Sequence, residues 1–137
     1  MNAILLPLLA MVGLVFVVWI TMFVRRVDEM RRRRIDVEQL ATSAEITRLL
    51  DDRRAADNFR NLFELPVLFF AGVLAAVATG AVDAVLVGLA WAFVALRAVH
   101  SLVHCTYNRV MHRFLAYLAS AIVLLAMWVR LALAWLA

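Results

Sequence analysis

The chain has 137 residues, 66% of them hydrophobic, and a formal net charge of +4 in which every basic residue is an arginine. This composition excludes disorder outside one polar segment, and the apolar runs are too long and too uncharged for a water-soluble core. The charge is clustered beside the apolar runs, which indicates membrane topology rather than nucleic-acid binding. The single cysteine, Cys105, excludes an internal disulfide. We therefore expect one membrane domain over residues 1–137.

Four apolar segments follow one another, and each is near the ~20 residues that cross about 30 Å of hydrocarbon. Backbone groups in lipid must be hydrogen-bonded within the segment, so each segment is predicted to be a helix. The first lacks the basic region and the small-residue cleavage site of a signal peptide. The sequence predicts an all-α integral membrane protein, an antiparallel bundle of four transmembrane helices at about residues 3–24, 59–78, 84–103 and 114–136.

The three connections differ in charge. Residues 25–57 form a long polar loop with a run of four arginines, residues 79–83 a tight turn with one acid and no base, and residues 104–113 a connection with two arginines. Because arginine-rich loops stay on the cytoplasmic side, we expect loops 25–57 and 104–113 in the cytoplasm and both termini outside. The absence of lysine is typical of a GC-rich bacterial genome, so the expected location is the bacterial inner membrane.

Two local patterns refine this arrangement. Within the polar loop, apolar residues recur at partly helical spacing over residues 35–50. This favours a helix that extends the first span or lies on the membrane surface. Pro66, close to the start of the second span, predicts a local kink there.

Two ionisable residues lie inside apolar runs, Glu64 in the second span and Arg97 in the third. An ionised side chain within the bilayer costs roughly 2.5–3.5 kcal/mol on insertion scales, so each needs a partner or a function. Glu64 lies about five residues inside the predicted boundary and Arg97 about six, which is nearly equal depth on antiparallel helices. We expect an ion pair or shared contacts to a bound polar ligand. A pair that only fixes helix register is the structural alternative.

Further polar residues surround this pair. Asn61 lies one turn before Glu64, and His100 and His104 follow Arg97 at i+3 and i+7, on one face of the third helix. A polar cluster at one edge of a membrane bundle favours a ligand site. The two histidines could present nitrogens to a metal, but no acid lies between them and no spacing supports a third ligand. We therefore predict hydrogen-bonding roles and no metal site.

The motif of the second span resembles the MAPEG superfamily, the membrane-associated proteins of eicosanoid and glutathione metabolism. That family's second helix carries an Asn, a Glu three residues on and a Pro shortly after, matched here by Asn61, Glu64 and Pro66. The Pro follows the Glu sooner than in the eukaryotic enzymes. Arg54 with Asn58 also fits the family's Arg-x-x-x-Asn, in a register that conflicts with the first match.

The third and fourth spans carry the rest of the resemblance. The family's prostaglandin E synthase has an Arg, a His three residues on and a Tyr four later, a spacing that reads Arg97, His100 and His104 here. The family places a thiolate-stabilising arginine at the start of the fourth helix, where Arg113 stands. His104 thus replaces a glutathione-contacting tyrosine, and Phe114 stands where the prostaglandin E synthase has a serine.

The resemblance implies a homotrimer that binds glutathione between neighbouring subunits near the cytoplasmic face. It further implies a membrane-bound glutathione-dependent transferase or peroxidase. Arg113 would be the catalytic residue, lowering the pKa of the glutathione thiol so that the thiolate attacks a hydrophobic electrophile or a lipid hydroperoxide. The residues assigned to glutathione binding are Arg60, Asn61, Glu64, Arg97, His100, His104, Tyr107 and Arg109.

Two other classes of function stay open at this point. A non-catalytic lipid-binding or scaffold protein is the main alternative, because the superfamily contains such a member and His104 and Phe114 depart from the catalytic pattern. A transporter or channel subunit is less favoured, because polar residues confined to one side form no continuous path. The expected partners are glutathione, an apolar small molecule or lipid substrate, membrane lipids and further copies of the chain.

Overall fold

The computed structural model describes residues 2–136, which form helices and no strand. Four stretches among them are long and apolar enough to cross a membrane: α1, α3 with α4, α5 and α6. The predicted all-α bundle of four spans is thus confirmed. The elements in order are a 3-10 turn at Asn2–Ile4, α1 (Leu5–Arg33), a 3-10 turn at Val37–Leu40, α2 (Ser43–Leu49), α3 (Arg54–Asn61), α4 (Leu65–Thr79), α5 (Ala84–Cys105) and α6 (Val110–Leu136).

Hydrogen bonds at the two ends of the bundle show that neighbouring spans run in opposite directions. At one end, Arg54 Nη1 donates to the carbonyl oxygen of Thr106, so the start of α3 lies beside the end of α5 (2.6 Å). At the other end, Arg130 Nε donates to Asp83 Oδ2, so the end of α6 lies beside the start of α5 (2.9 Å). We name the first of these the polar end, because the arginines of α1 and α3 lie there.

Most of the predicted polar loop at residues 25–57 is helical. α1 continues past the expected limit at residue 24 to Arg33, where two ion pairs one turn apart, Asp28–Arg32 and Glu29–Arg33, support it (2.8 and 3.1 Å). The buried Glu29 carboxylate also accepts from the backbone N–H groups of Asp51 and Asp52. The polar segment is therefore folded back against α1, and only its short connections are irregular.

The second span is broken between α3 and α4. Residues 62–64 leave the helix, and α4 restarts at Leu65 with Pro66 in its first turn, where a missing N–H costs nothing. This confirms the predicted kink and refines it to a break. It also turns Glu64 to the exposed surface.

The core lies along α5, which packs against α1, α3 and α6. Phe69 of α4 stacks on Phe93 of α5 with ring centres 4.7 Å apart, and both side chains are fully buried. Outward-facing side chains of the spans are also apolar, for example Leu6, Phe16 and Leu125, each more than half exposed. A surface of this kind is suited to lipid rather than water.

The connection at residues 79–83 is the predicted tight turn. Gly80 takes a left-handed conformation (φ 69°) at the end of α4, and Asp83 caps α5 by accepting from the Leu86 N–H (2.7 Å). Arg130 of α6 donates to the same carboxylate through Nε (2.9 Å). These N–H donors hold the pKa of Asp83 below its ordinary value, with the Leu86 backbone bond the largest cause.

Candidate functional site

One face of α5 is polar and buried near the polar end. Arg97, His100, Ser101 and His104 are between 0% and 4% exposed, which confirms that the predicted residues share a face. Burying a guanidinium and two imidazoles inside a membrane bundle is costly unless their polar atoms find partners. The contacts of these side chains therefore decide whether the cluster is structural or functional.

Arg97 is only partly satisfied by the protein. Its Nη2 donates to the backbone carbonyl oxygen of Asn61 (2.9 Å), and its Cζ lies 5.6 Å from the centre of the Tyr117 ring, a cation–π distance. Its Nε and Nη1 are buried and have no hydrogen-bond partner among residues 2–136. The guanidinium thus retains donor groups that a bound ligand could use.

The predicted Glu64–Arg97 ion pair is wrong. Within the described part of the chain, no carboxylate lies within 4.0 Å of the Arg97 guanidinium. The break at residues 62–64 ends α3 before Glu64, and its exposed side chain lies at the cleft without reaching the Arg97 guanidinium. The backbone carbonyl of Asn61 takes the place of the expected carboxylate as acceptor.

The hydrogen bonds of the two histidines fix complementary tautomers. His100 Nδ1 lies 3.0 Å from the carbonyl oxygen of Arg113, which can only accept, so Nδ1 carries the proton. His104 Nε2 lies 3.3 Å from the donor Nη1 of Arg113, so Nε2 accepts. The remaining ring atoms, His100 Nε2 and His104 Nδ1, are buried with no partner in residues 2–136. In the neutral rings, His100 Nε2 is therefore an acceptor and His104 Nδ1 is a donor.

Arg113 stands near the start of α6 and is held in place from two sides. Its Nη1 donates to Asn108 Oδ1 (2.9 Å) as well as to His104. Asn108 has a left-handed backbone (φ 49°), a conformation that asparagine tolerates better than most residues. The half-buried guanidinium is therefore positioned by the loop before α6 and by α5 together.

A cleft of about 280 Å³ opens beside this cluster, between the end of α3 and the start of α6. It brings together four predicted site residues, while Arg97 and His104 lie buried behind it. The cleft lies where the apolar spans meet the polar end, so it is reachable from the membrane boundary. Its lining residues are Asn61, Glu64, His100, Val110, Arg113, Phe114 and Tyr117.

Three predicted binding residues lie elsewhere. Arg60 is exposed and lines a separate cavity beside α1 and α2. Tyr107 is 57% exposed, and its hydroxyl contacts His112 Nδ1 (3.1 Å) rather than the cleft. Arg109 is exposed and does not line the cleft. Among residues 2–136, no side-chain hydrogen bond joins these three to the other candidates; Arg109 contacts Arg113 only through the backbone, where its carbonyl oxygen accepts from the Arg113 N–H (3.1 Å).

The structure adds residues that sequence reasoning did not assign. Tyr117 lies one turn after Arg113, and its ring packs 5.9 Å from that of His100; the i,i+4 spacing was the available signal. Asn58 is fully buried, accepts from Ser101 Oγ (3.3 Å) and donates to Cys105 Sγ (3.4 Å). These bonds join α3 to α5 directly beneath the site. The second motif register, through Asn58, was the sequence signal for them.

The clustering of histidines does not create a metal centre within residues 2–136. No group of three His, Cys, Asp or Glu side chains lies close enough there to hold an ion. The donor set around the cleft is dominated by guanidinium, amide and imidazole groups, which suits an anionic or amphoteric organic ligand.

A family comparison agrees with this architecture. The model of the MAPEG family matches residues 4–133 of the chain. No curated protein and no solved structure matches the chain. The matched region includes the whole cleft, the first three spans and the fourth span as far as residue 133. The chain is an integral membrane protein and belongs to the MAPEG family.

Proposed function

We propose that the protein is a membrane-bound glutathione-dependent transferase or peroxidase that acts on hydrophobic electrophiles or lipid hydroperoxides. The observation that carries the proposal is the position of Arg113, fixed by His104 and Asn108 at the wall of a cleft near the membrane boundary. Membership of the MAPEG family supports it, because glutathione chemistry is one of the activities that family membership implies.

The proposed chemistry is thiolate activation. A free thiol has a pKa of roughly 8.5 and is mostly protonated at neutral pH, but a nearby cation lowers that pKa. Arg113 is the cation that we assign to this role, since its guanidinium is only half-buried and faces the cleft. The thiolate would then attack an electrophilic carbon, forming a carbon–sulfur bond as the leaving group departs with its electron pair.

The binding groups around the cleft match the remaining parts of glutathione. Its ammonium group requires a carboxylate, and the exposed Glu64 at the cleft supplies one. Its carboxylates and amides require N–H donors and acceptors, which Asn61 and His100 offer at the cleft wall, with the unpartnered Arg97 atoms buried behind it. Phe114 and Val110 provide apolar surface for the second substrate.

We further propose that the cleft is completed by a neighbouring copy in a homotrimer. At about 280 Å³ the cleft of one chain lies just below the range of roughly 300–1,000 Å³ that is typical of small-molecule sites. A second chain against it would add volume and exclude water. Arg60, Tyr107 and Arg109 could then reach a ligand held by the neighbour. The arginine-rich polar end is proposed to face the cytoplasm of a bacterial inner membrane, with both termini outside.

The direct test is conjugation of glutathione to a chloronitrobenzene by the purified protein in detergent. We expect Arg113→Ala to lower the rate by about 100-fold or more, because it removes the charge that stabilises the thiolate. Arg48→Ala, an exposed arginine of α2 that lies outside the cleft, is the matched control and should retain the wild-type rate. Equal rates for wild type and Arg113→Ala would contradict the mechanism.

A non-catalytic lipid-binding or scaffold role is the second candidate. The observation that favours it is Phe114, which is 54% exposed at the cleft and adds apolar surface beside Arg113. Calorimetric titration of glutathione into the detergent-solubilised protein separates the two functions. The enzyme hypothesis requires binding, whereas the scaffold hypothesis predicts none.

A further inference from the structure

A second cavity lies at the polar end, on a different face of α3 from the cleft. Its volume is about 120 Å³, and it is lined by residues 22–26 of α1, by α2 and by α3. Arg53, Asp57 and Arg60 face it at i, i+4 and i+7, so they share one helix face, whereas Asn61 lines the cleft. We name it the arginine cavity, after the lining residues Arg25, Arg26, Arg53 and Arg60.

The charge of the arginine cavity is not balanced by its own carboxylates. Four guanidinium groups and two carboxylates line it, which leaves a net charge of plus two. Asp52 is largely occupied by Arg54, a residue outside the lining, through bonds of 2.9 and 3.1 Å. Asp57 Oδ1 lies 3.7 Å from Arg53 Nη2, so this carboxylate pairs with one of the lining arginines. The cavity is therefore suited to an anion.

Three of the lining arginines have donor groups to spare. Arg26 and Arg60 have no carboxylate within 4.0 Å in the part of the chain that the structure describes. Arg25 lies 3.6 Å from Asp52, yet its Nη1 is buried and makes no hydrogen bond to any described residue. A guanidinium presents donors in a planar fork that matches phosphate oxygens.

The cavity also lies at the depth of lipid headgroups. About twenty residues of α1, 5–24, cross some 30 Å of hydrocarbon, so Arg25 and Arg26 come at its boundary. Three apolar side chains, Met22, Ile46 and Leu50, line the cavity beside the arginines. A ligand that joins a phosphate to an apolar chain fits both kinds of wall.

We propose that the arginine cavity binds the phosphate group of an anionic phospholipid. Basic pockets between membrane helices bind such headgroups by the same combination of arginine donors and boundary position. Free phosphate shares the charge chemistry but makes no use of the apolar wall. The hydroxyl group of Ser43, which also lines the cavity, is available to the headgroup as a further donor, whereas the Thr47 hydroxyl donates to the Ser43 carbonyl oxygen (2.8 Å).

The test is retention of a single lipid by the full-length protein, measured by native mass spectrometry from a neutral detergent. Phosphatidylglycerol is compared with zwitterionic phosphatidylcholine, and inorganic phosphate is added as a competitor. We expect phosphatidylglycerol to be retained about tenfold more strongly than phosphatidylcholine, since each arginine near the boundary favours an anionic headgroup. Inorganic phosphate should compete only weakly.

Two double variants locate the binding. Arg26→Gln with Arg53→Gln should weaken phosphatidylglycerol retention by about tenfold, while Arg31→Gln with Arg48→Gln, exposed arginines outside the cavity, should change it by less than about twofold. Ser43→Glu provides a second route, because it adds a carboxylate to the cavity wall at the first turn of α2, where an acid is tolerated. It should give the same loss, with helicity checked by circular dichroism.

Three results would overturn the proposal. Equal retention of the two lipids would show that the headgroup charge is not recognised. Equal losses in both double variants would show diffuse attraction rather than a site. Complete displacement by inorganic phosphate would show that free phosphate, not a lipid, is the ligand. None of these readouts depends on glutathione, so the proposed enzymatic function is tested separately.

Discussion

The cleft and the arginine cavity both place guanidinium groups at the polar end of the bundle, but they hold them in opposite ways. Arg97, behind the cleft, is fully buried and bonded to a backbone carbonyl and an aromatic ring. The arginines of the cavity lie near the surface among carboxylates, with Arg25 and Asp52 about one third exposed. The cleft region holds its hydrogen-bond donors in fixed positions, while the arginine cavity brings several positive charges together.

The two regions should therefore recognise ligands differently. The cleft depends on the fixed positions of its donors, and the arginine cavity depends on its net positive charge. A buried guanidinium without a counter-ion is costly, so its retention favours a role in binding a particular ligand. Exposed arginines contribute little each, but several at a membrane boundary select anionic headgroups. The cleft should therefore respond to changes in single atoms, and the cavity to changes in net charge.

Among the changes that compare the two regions, Arg97→Met in the cleft region is expected to have the largest effect. Glutathione affinity should fall by about tenfold or more, because charge-assisted donors are lost. The thermal midpoint should not fall, because an apolar side chain of similar length removes buried N–H groups that lack partners. Calorimetry and thermal unfolding measure the two quantities. A variant that binds glutathione normally but unfolds at lower temperature would make Arg97 a structural residue.

Ionic strength should distinguish the two regions next. Raising salt from about 0.1 M to about 1 M shortens the screening length from about 10 Å to about 3 Å. Binding of a fluorescent phosphatidylglycerol at the cavity should weaken several-fold, whereas glutathione binding at the buried donors should weaken much less. Equal salt dependence at both sites would contradict the contrast between fixed geometry and concentrated charge.

Acid should affect the cavity through Asp52. Its hydrogen bonds from Arg54, the largest cause, hold the pKa of this carboxyl below its ordinary value of 3.8. A lowered folded-state pKa adds stability that is complete above about 3.8 and is lost as pH falls through the folded value. The thermal midpoint should therefore drop below about pH 4, and Asp52→Asn should reduce that drop, part of which remains because the pKa values of Glu29 and Asp83 are also lowered. The control is Asp28→Asn, which removes an exposed carboxylate that pairs with Arg32. It should leave the acid-induced drop in the thermal midpoint in place.

The smallest effect is expected at Tyr117, which supports the cleft with its ring. Tyr117→Phe keeps the ring beside Arg97 and His100, so glutathione affinity should change by less than about twofold. Tyr117→Leu removes the cation–π contact and should weaken binding by about threefold or more. Calorimetry of both variants gives the comparison. If Tyr117→Phe lowered glutathione affinity by more than about twofold, the hydroxyl group rather than the ring would carry the role.

The sequence correctly predicted the features that depend on the length of the apolar segments and on helical periodicity. The four spans follow from apolar runs of sufficient length, and the shared face of Arg97, His100 and His104 follows from helical spacing. The sequence predicted that the first span ends at about residue 24 and that residues 35–50 form a helix, so it did not foresee that α1 continues to Arg33. The fold-back of residues 51–52 onto Glu29 is a tertiary feature that the local pattern does not contain.

The predicted Glu64–Arg97 ion pair fails because of one local break. Depth alone placed Glu64 opposite Arg97, but the interruption at residues 62–64 leaves the carboxylate exposed at the cleft, beyond ion-pair distance of Arg97. Arg60 and Asn61 are adjacent in sequence, yet a step of about 100° around α3 sends them to different cavities. Helix rotation of this kind depends on packing, as in the Asn58 contact with α5, and single-sequence spacing does not determine it.

The central claim is that Arg113 activates a glutathione thiol, and the thiolate can be observed directly by its ultraviolet absorbance. Glutathione bound to the wild-type protein in detergent should ionise well below the free-thiol pKa of roughly 8.5. Bound to Arg113→Ala, it should ionise near the free value, while Arg48→Ala should match the wild type. The same low thiol pKa in wild type and Arg113→Ala would contradict the account.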